Sequence, residues 1–167
     1  MHCSLFFGIT LLASLFSNVL ALGTLYRADD RDPASLKAQG GITAFRTSGD
    51  CGSNLLKSHS DKDLGTNDPF VSTSEDMEIS KGFDKKYLYI IDSSKITGTK
   101  YDVNDYVPDG YIEELEIAVC FTVPWSAVIS VQEKKGPRNY QPIAMPKKRS
   151  AFAHDARAAR ARAEVVV

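Results

Sequence analysis

Tyr111-Ile112-Glu113-Glu114-Leu115-Glu116-Ile117-Ala118-Val119-Cys120-Phe121 ends as a strand with acids at its head. From Leu115 onward, Leu115, Ile117, Val119 and Phe121 alternate with Glu116, Ala118 and Cys120. Period two is the pattern of a strand with one apolar face. In an extended chain, Glu114 and Glu116 project to the same side and Leu115 points away. Two like charges that close oppose each other's ionisation, so the pair needs solvent, a cationic partner or a task. A Glu-x-Glu on a solvated strand face needs none of these beyond water, and that reading stands until other residues join the pair.

Outward from this stretch, Asp109-Gly110 is a turn signal before it and Pro124-Trp125 breaks it after. Ala127 to Val131 makes a last strand. Upstream, Tyr87-Leu88-Tyr89-Ile90-Ile91-Asp92 reads as a buried strand, and Pro69 to Ser74, β-branched and aromatic, as a strand. Ser74-Glu75-Asp76-Met77 predicts a short helix with a serine cap, ending near Gly82. Thr24 to Asp29 is a short strand. Asp32-Pro33 opens a helix, Asp as cap and Pro at the first position, and Gly40-Gly41 ends it, with Gly40 suited to the left-handed cap. Asn54 to His59 gives a helical turn or two. Ile42 to Ser53 and Ile96 to Pro108 read as loop. Strands and short helices interleave, so the class is α+β.

The chain has 167 residues and a formal net charge of −1. That length favours one domain, and a near-neutral charge gives no sign of a nucleic-acid partner. Leu5 to Phe16 is apolar, and Arg27 is the first Lys, Arg, Asp or Glu. With Val19-Leu20-Ala21 as a small-residue cleavage site, residues 1–21 read as a secretory signal peptide. Its removal leaves no membrane span and two cysteines, Cys51 and Cys120, which in an oxidising compartment most simply form one disulfide. No metal-binding spacing of Cys or His occurs. After Gly136 the composition turns basic and alanine-rich, so 137–167 is expected to be a mobile tail behind a domain spanning 22–136.

Three features stand in order: Tyr26-Arg27-Ala28-Asp29-Asp30-Arg31-Asp32-Pro33, then Ser72-Thr73-Ser74, then Glu114-Leu115-Glu116. The set resembles the arginine–serine–glutamate class of mono-ADP-ribosyltransferase toxins, the group of the cholera toxin and heat-labile enterotoxin A chains. Leu36-Lys37, Gly40-Gly41, Val103-Asn104-Asp105 and Pro124-Trp125-Ser126 follow the same pattern, so the likeness runs from Leu25 to about Val131. It implies a mixed domain with two small sheets flanking a cleft for NAD as co-substrate. It implies that Arg27, with Ala28 and Asp29, binds NAD. Ser72 would hold the Glu116 carboxylate, with Thr73 and Ser74 ordering the strand and cap beside NAD. Glu116 would stabilise positive charge on the ribose, and Glu114 would meet the acceptor. His59 lies in the interval where the enterotoxin pattern has a histidine near NAD. On the residues alone, Arg27 could equally be a surface ion pair with Asp29 or Asp30.

Glutamate rather than glutamine at position 114 goes, in the resembled class, with arginine acceptors. The expectation is therefore a secreted enzyme transferring ADP-ribose to an arginine of a host protein. The alternatives are an NAD glycohydrolase and a non-catalytic binding module on the same fold. The segment from Ser74 to Tyr87 is shorter than in the enterotoxins, Glu113 has no assigned role, and no long docking helix follows Gly136. Nothing therefore supports a ring of binding subunits.

Overall fold

A computed structural model describes residues 23–107 and 114–146. Among the described residues nine strands form two sheets. In chain order they are β1 (Thr24–Asp29), β2 (Gly41–Thr43), β3 (Phe70–Ser74), β4 (Tyr87–Asp92), β5 (Lys100–Asp102), β6 (Glu116–Cys120), β7 (Thr122–Pro124), β8 (Val128–Gly136) and β9 (Asn139–Pro142). The large sheet has the order β5-β6-β3-β1-β4-β8-β9, with every neighbouring pair antiparallel; β2 and β7 pair separately. The expected α+β class and two sheets are present, but the sheets are unequal, seven strands against two.

Three short helices complete the frame: α1 (Pro33–Ala38), α2 (Leu56–Ser60) and α3 (Met77–Gly82). The α1 start follows its sequence, since Asp32 accepts from the Ser35 amide and Pro33 occupies the first position. Gly40 after it has φ +89, the left-handed region where a side chain would be strained. The α3 cap is Asp76, which accepts from the Glu78 and Ile79 amides, and not Ser74. Ser74 Oγ instead accepts from the Asp76 amide, one step earlier in the same turn.

The β6 strand is buried along its whole length, contrary to one apolar face. Ile117 and Val119 join the larger core with Leu25, Leu36, Val71, Tyr89 and Ile91. Ala118 and Cys120 join a second core on the other face with Leu56, Phe70, Val103 and Val107. Each fully buried aliphatic side chain contributes about 1.5–3 kcal/mol of transfer free energy. The second core is what seats α2 on the face of β6 and β3 that also carries Glu116 and Ser72. Cys51 and Cys120 form a disulfide there, with Cα atoms 6.0 Å apart.

Left-handed backbone brackets β6. Leu115 has φ 43 and Phe121 has φ 61, so the strand starts at Glu116 and is severed from β7. The expected unbroken run from Leu115 is corrected accordingly. Main-chain pairing also makes strands of segments read as loop: β2, which pairs with β7, and β5, which pairs with β6. The expected boundary at Gly136 falls inside the β8–β9 hairpin. Tyr140 is buried, and Ile143 and Met145 pack on the larger core, because β8 offers them an unpaired edge and apolar surface. The expected signal peptide, Glu113 and the basic stretch from Lys147 onward lie outside the described residues. Among the described residues no helix is long and apolar enough to cross a membrane.

Candidate active site

The strand order puts β1, β3 and β6 side by side, and with them Arg27, Ser72 and Glu116. Arg27 Nε donates to Asp29 Oδ2 at 3.0 Å and Nη1 to the Ser72 carbonyl at 2.7 Å. Asp29 is buried and also accepts from Arg31 Nε and Nη2. Burial alone would raise its pKa, but hydrogen bonds from Arg31 and the charge of Arg27 outweigh that and hold it at about 2. The ion pair that the residues alone left open therefore exists, and it aims Arg27 without exhausting it: Nη2 has no protein partner among the described residues.

The β3–β6 register sets Ser74 opposite Glu116 and Ser72 opposite Ala118. Ser72, Ser74 and Glu116 thus share a face, and α2 brings His59 onto it. His59 Nε2 lies 2.9 Å from Glu116 Oε1 and Nδ1 lies 2.7 Å from Asp68 Oδ2. Ser72 Oγ is 3.3 Å from His59 Nε2, so the serine reaches Glu116 through the histidine and does not hold its carboxylate directly. Burial pushes the His59 pKa down, but hydrogen bonds to Asp68 and then Glu116 prevail and raise it to about 9. Asp68 was not among the residues expected from sequence. It lies nine positions from His59 in a polar stretch before Pro69, where an acid reads as a turn residue.

Thr73 Oγ1 donates to the Ile117 carbonyl at 2.7 Å, on the opposite face of the sheet. Ser74 Oγ donates to the Glu114 carbonyl at 2.8 Å. Both hydroxyls thus fasten β3 to the acid-bearing segment, and both residues stand in the wall of the cleft beside Arg27 and Glu116. The Asp29 carboxylate is engaged by two arginines. The left-handed Leu115 turns the chain between the acids, and its carbonyl accepts from the Glu75 amide. Glu114 and Glu116 are therefore not neighbours on one extended strand, yet both face the same cleft.

That cleft has two hollows of about 230 and 460 Å³, which share Ser72, Phe83, Glu114 and Glu116 in their walls. The smaller adds Tyr26, Arg27 and Ala28; the larger adds Phe45, His59, Ser60 and Asp68. Ser60 Oγ is buried in that wall without a hydrogen-bond partner among the described residues. The exposed rings of Phe45 and Phe83 stand at the rim. Sequence reading missed Ser60, Phe45 and Phe83, which carry no motif. Among the described residues no group of His, Cys, Asp or Glu could hold a metal ion.

A buried carboxylate bonded to a histidine thus shares one cleft with an arginine aimed by an ion pair. The fold carrying it is that of the mono-ADP-ribosyltransferases. A variant of the scabin toxin from Streptomyces scabies is 27% identical, with 75% of each chain covered and a TM-score of 0.58. Scabin in complex with NADH is 27% identical over 75% of this chain and 74% of that one, with a TM-score of 0.57. A guanine-specific ADP-ribosyltransferase shares the fold at 22% identity and a TM-score of 0.57, over 75% of this chain and 77% of that one. No protein-family model and no curated protein matches the sequence.

Proposed function

We propose that this chain is a mono-ADP-ribosyltransferase of toxin type, using NAD and transferring ADP-ribose to an arginine side chain with release of nicotinamide. The observation that carries it is Glu116: buried, fixed at Oε1 by His59, and with Oε2 free of partners among the described residues, beside Ser72 and Arg27 in one cleft. The scabin–NADH neighbour supports the choice of dinucleotide.

The residues fit the co-substrate. Arg27 keeps a free edge of donors for a phosphate or ribose oxygen. NAD, when bound, supplies a C1′–nicotinamide bond that breaks with the electron pair leaving on nicotinamide. Glu116 Oε2 accepts a hydrogen bond from a ribose hydroxyl and so favours the positive charge that grows on the sugar. Glu114 faces the larger hollow with its carboxylate free and takes the proton that the acceptor nitrogen loses as it bonds to C1′.

A carboxylate there accepts two N–H bonds from a guanidinium, and the Phe45 and Phe83 faces suit a flat cation. An amide at 114 would offer a donor as well, which suits the mixed edge of a base. The guanine-specific neighbour makes a base acceptor the rival reading. The Cys51–Cys120 bond supports action outside the producing cell.

The test is to incubate the folded protein with NAD and, separately, agmatine, deoxyguanosine or water alone. Adduct formation on agmatine is expected, and adducts on deoxyguanosine instead would replace arginine by a base. Glu116→Gln should lower nicotinamide release on the order of a hundredfold to a thousandfold. Glu114→Gln should spare release in water while suppressing transfer. Wild-type activity in Glu116→Gln would defeat the reading.

A further inference from the structure

Glu116 is held by a chain of contacts that starts outside the expected motif. Asp68 stands immediately before Pro69 and β3. Its Oδ1 accepts from the Phe70 amide at 2.9 Å, and its own carbonyl accepts from the Arg46 amide. Its Oδ2 is 2.7 Å from His59 Nδ1, and the other ring nitrogen is 2.9 Å from Glu116 Oε1. A neutral imidazole has one N–H and one lone pair. With a carboxylate oxygen against each nitrogen, it would set a lone pair against an acceptor at one end. Both contacts are satisfied only when both nitrogens carry protons.

We infer that Asp68 is a positioning residue that keeps His59 as a fixed cation, and that this cation, not Ser72, orients the catalytic Glu116. The inference rests on the proposed role of Glu116. It also removes His59 from the role usual for a cleft histidine. A ring with both N–H groups engaged has no lone pair for a proton from the acceptor, which leaves that task to Glu114.

The surroundings agree. The groups that face His59 are Asp68 ahead of β3, Glu116 on β6, the Ser72 hydroxyl and the Phe70 ring on β3, whose centroid is 5.0 Å away. Glu114, Asp61 and Lys62 line the same hollow. Two carboxylates on one buried ring outweigh its desolvation, in line with a His59 pKa raised to about 9. Protonation is therefore complete at neutral pH and lost as pH rises through about 9.

Asp68→Asn keeps the shape and removes the charge. The His59 pKa should fall back towards the ordinary histidine value of about 6.5. In the pH profile of kcat for nicotinamide release, the alkaline limb should move down by about two units. Near pH 6, at about which His59 is charged in both proteins, kcat should differ little; near pH 8 it should be down about tenfold or more. KM for NAD should change by less than about threefold, since Asp68 does not reach for substrate. A purely structural role would depress activity at every pH alike.

Nitrogen NMR of the wild-type ring, assigned by its loss in His59→Asn, gives an answer that needs neither turnover nor the variant's folding. Two protonated nitrogens at neutral pH and titration near 9 are expected. A ring that titrates near 6.5 overturns the inference, and so does an unmoved alkaline limb in folded Asp68→Asn. Should the wild type release no nicotinamide at any pH, the proposed function fails, and the NMR titration alone decides whether Asp68 holds a cation against Glu116.

Discussion

Asp29 is a buried charge whose value comes from what it holds. It is 7% exposed and shared by Arg27 and Arg31, and its pKa stands at about 2 against an ordinary 3.8. The folded value is the lower one, so the contribution is present above the ordinary carboxylate range and is lost as pH falls through about 2. Linkage makes it worth about 2 kcal/mol at neutral pH. Asp29→Asn should therefore be less stable than wild type at about pH 7, with the gap narrowing between roughly pH 4 and 2. Urea titrations of both proteins across that range check the sign, and a gap that widens in acid would contradict it. The variant should also raise KM for NAD more than it lowers kcat, because Arg27 loses the group that aims it. Arg27, Ser72 and Glu116 were legible in the sequence as an ordered set. Asp68 was not, because its partnership needs α2 folded back over β3, and nothing in a spacing of nine positions signals that.

At the scale of elements, the structure departs from the sequence pattern wherever pairing outweighs local preference. β2 is three residues long, and its first residue is a glycine for a steric reason. A Cβ on Gly41 would lie 2.2 Å from the Val123 carbonyl oxygen, with backbone atoms of Pro124 and Trp125 at 2.9 Å. Gly41→Ala should cost about 1–3 kcal/mol by forcing β2 and β7 apart. A thermal melt unchanged from wild type would show that the small sheet is not held as tightly as this. The β8–β9 hairpin was hidden because Gly136-Pro137 reads as an ending, whereas in the fold it heads a turn. Truncation after Lys135 removes β9, buried Tyr140 and the packing of Ile143 and Met145, and exposes the β8 edge. That chain should melt lower and aggregate, whereas truncation after Pro146 should melt like the full protein. Equal melting of the two would return β9 to the status of a tail.

For the molecule as a whole, the two cores divide the labour across β6. The larger core was foreseeable from β4, whose apolar residues are dense enough to announce a buried strand. The smaller core was not, because Leu56, Phe70, Val103 and Val107 come from three separated segments too short to show a period, and Ala118 and Cys120 lie on the face of β6 opposite its apolar one. This second core fixes the distance between α2, with His59, and β6, with Glu116. The Cys51–Cys120 bond closes its outer side across a sequence separation of 69. In the chain-entropy model a loop of that size stabilises by at most about 4 kcal/mol, because the crosslink restricts the unfolded chain far more than the folded one. Neither sulfur belongs to the cleft walls. Cys51→Ser combined with Cys120→Ser should therefore lower Tm and the denaturant midpoint, while nicotinamide release well below the new Tm stays within about twofold of wild type. The measurement pairs a melt with an activity assay on the same sample. Unchanged Tm would mean the bond restrains little, and lost activity in a fully folded variant would mean that the disulfide, and not the apolar core, sets the reach of His59 to Glu116.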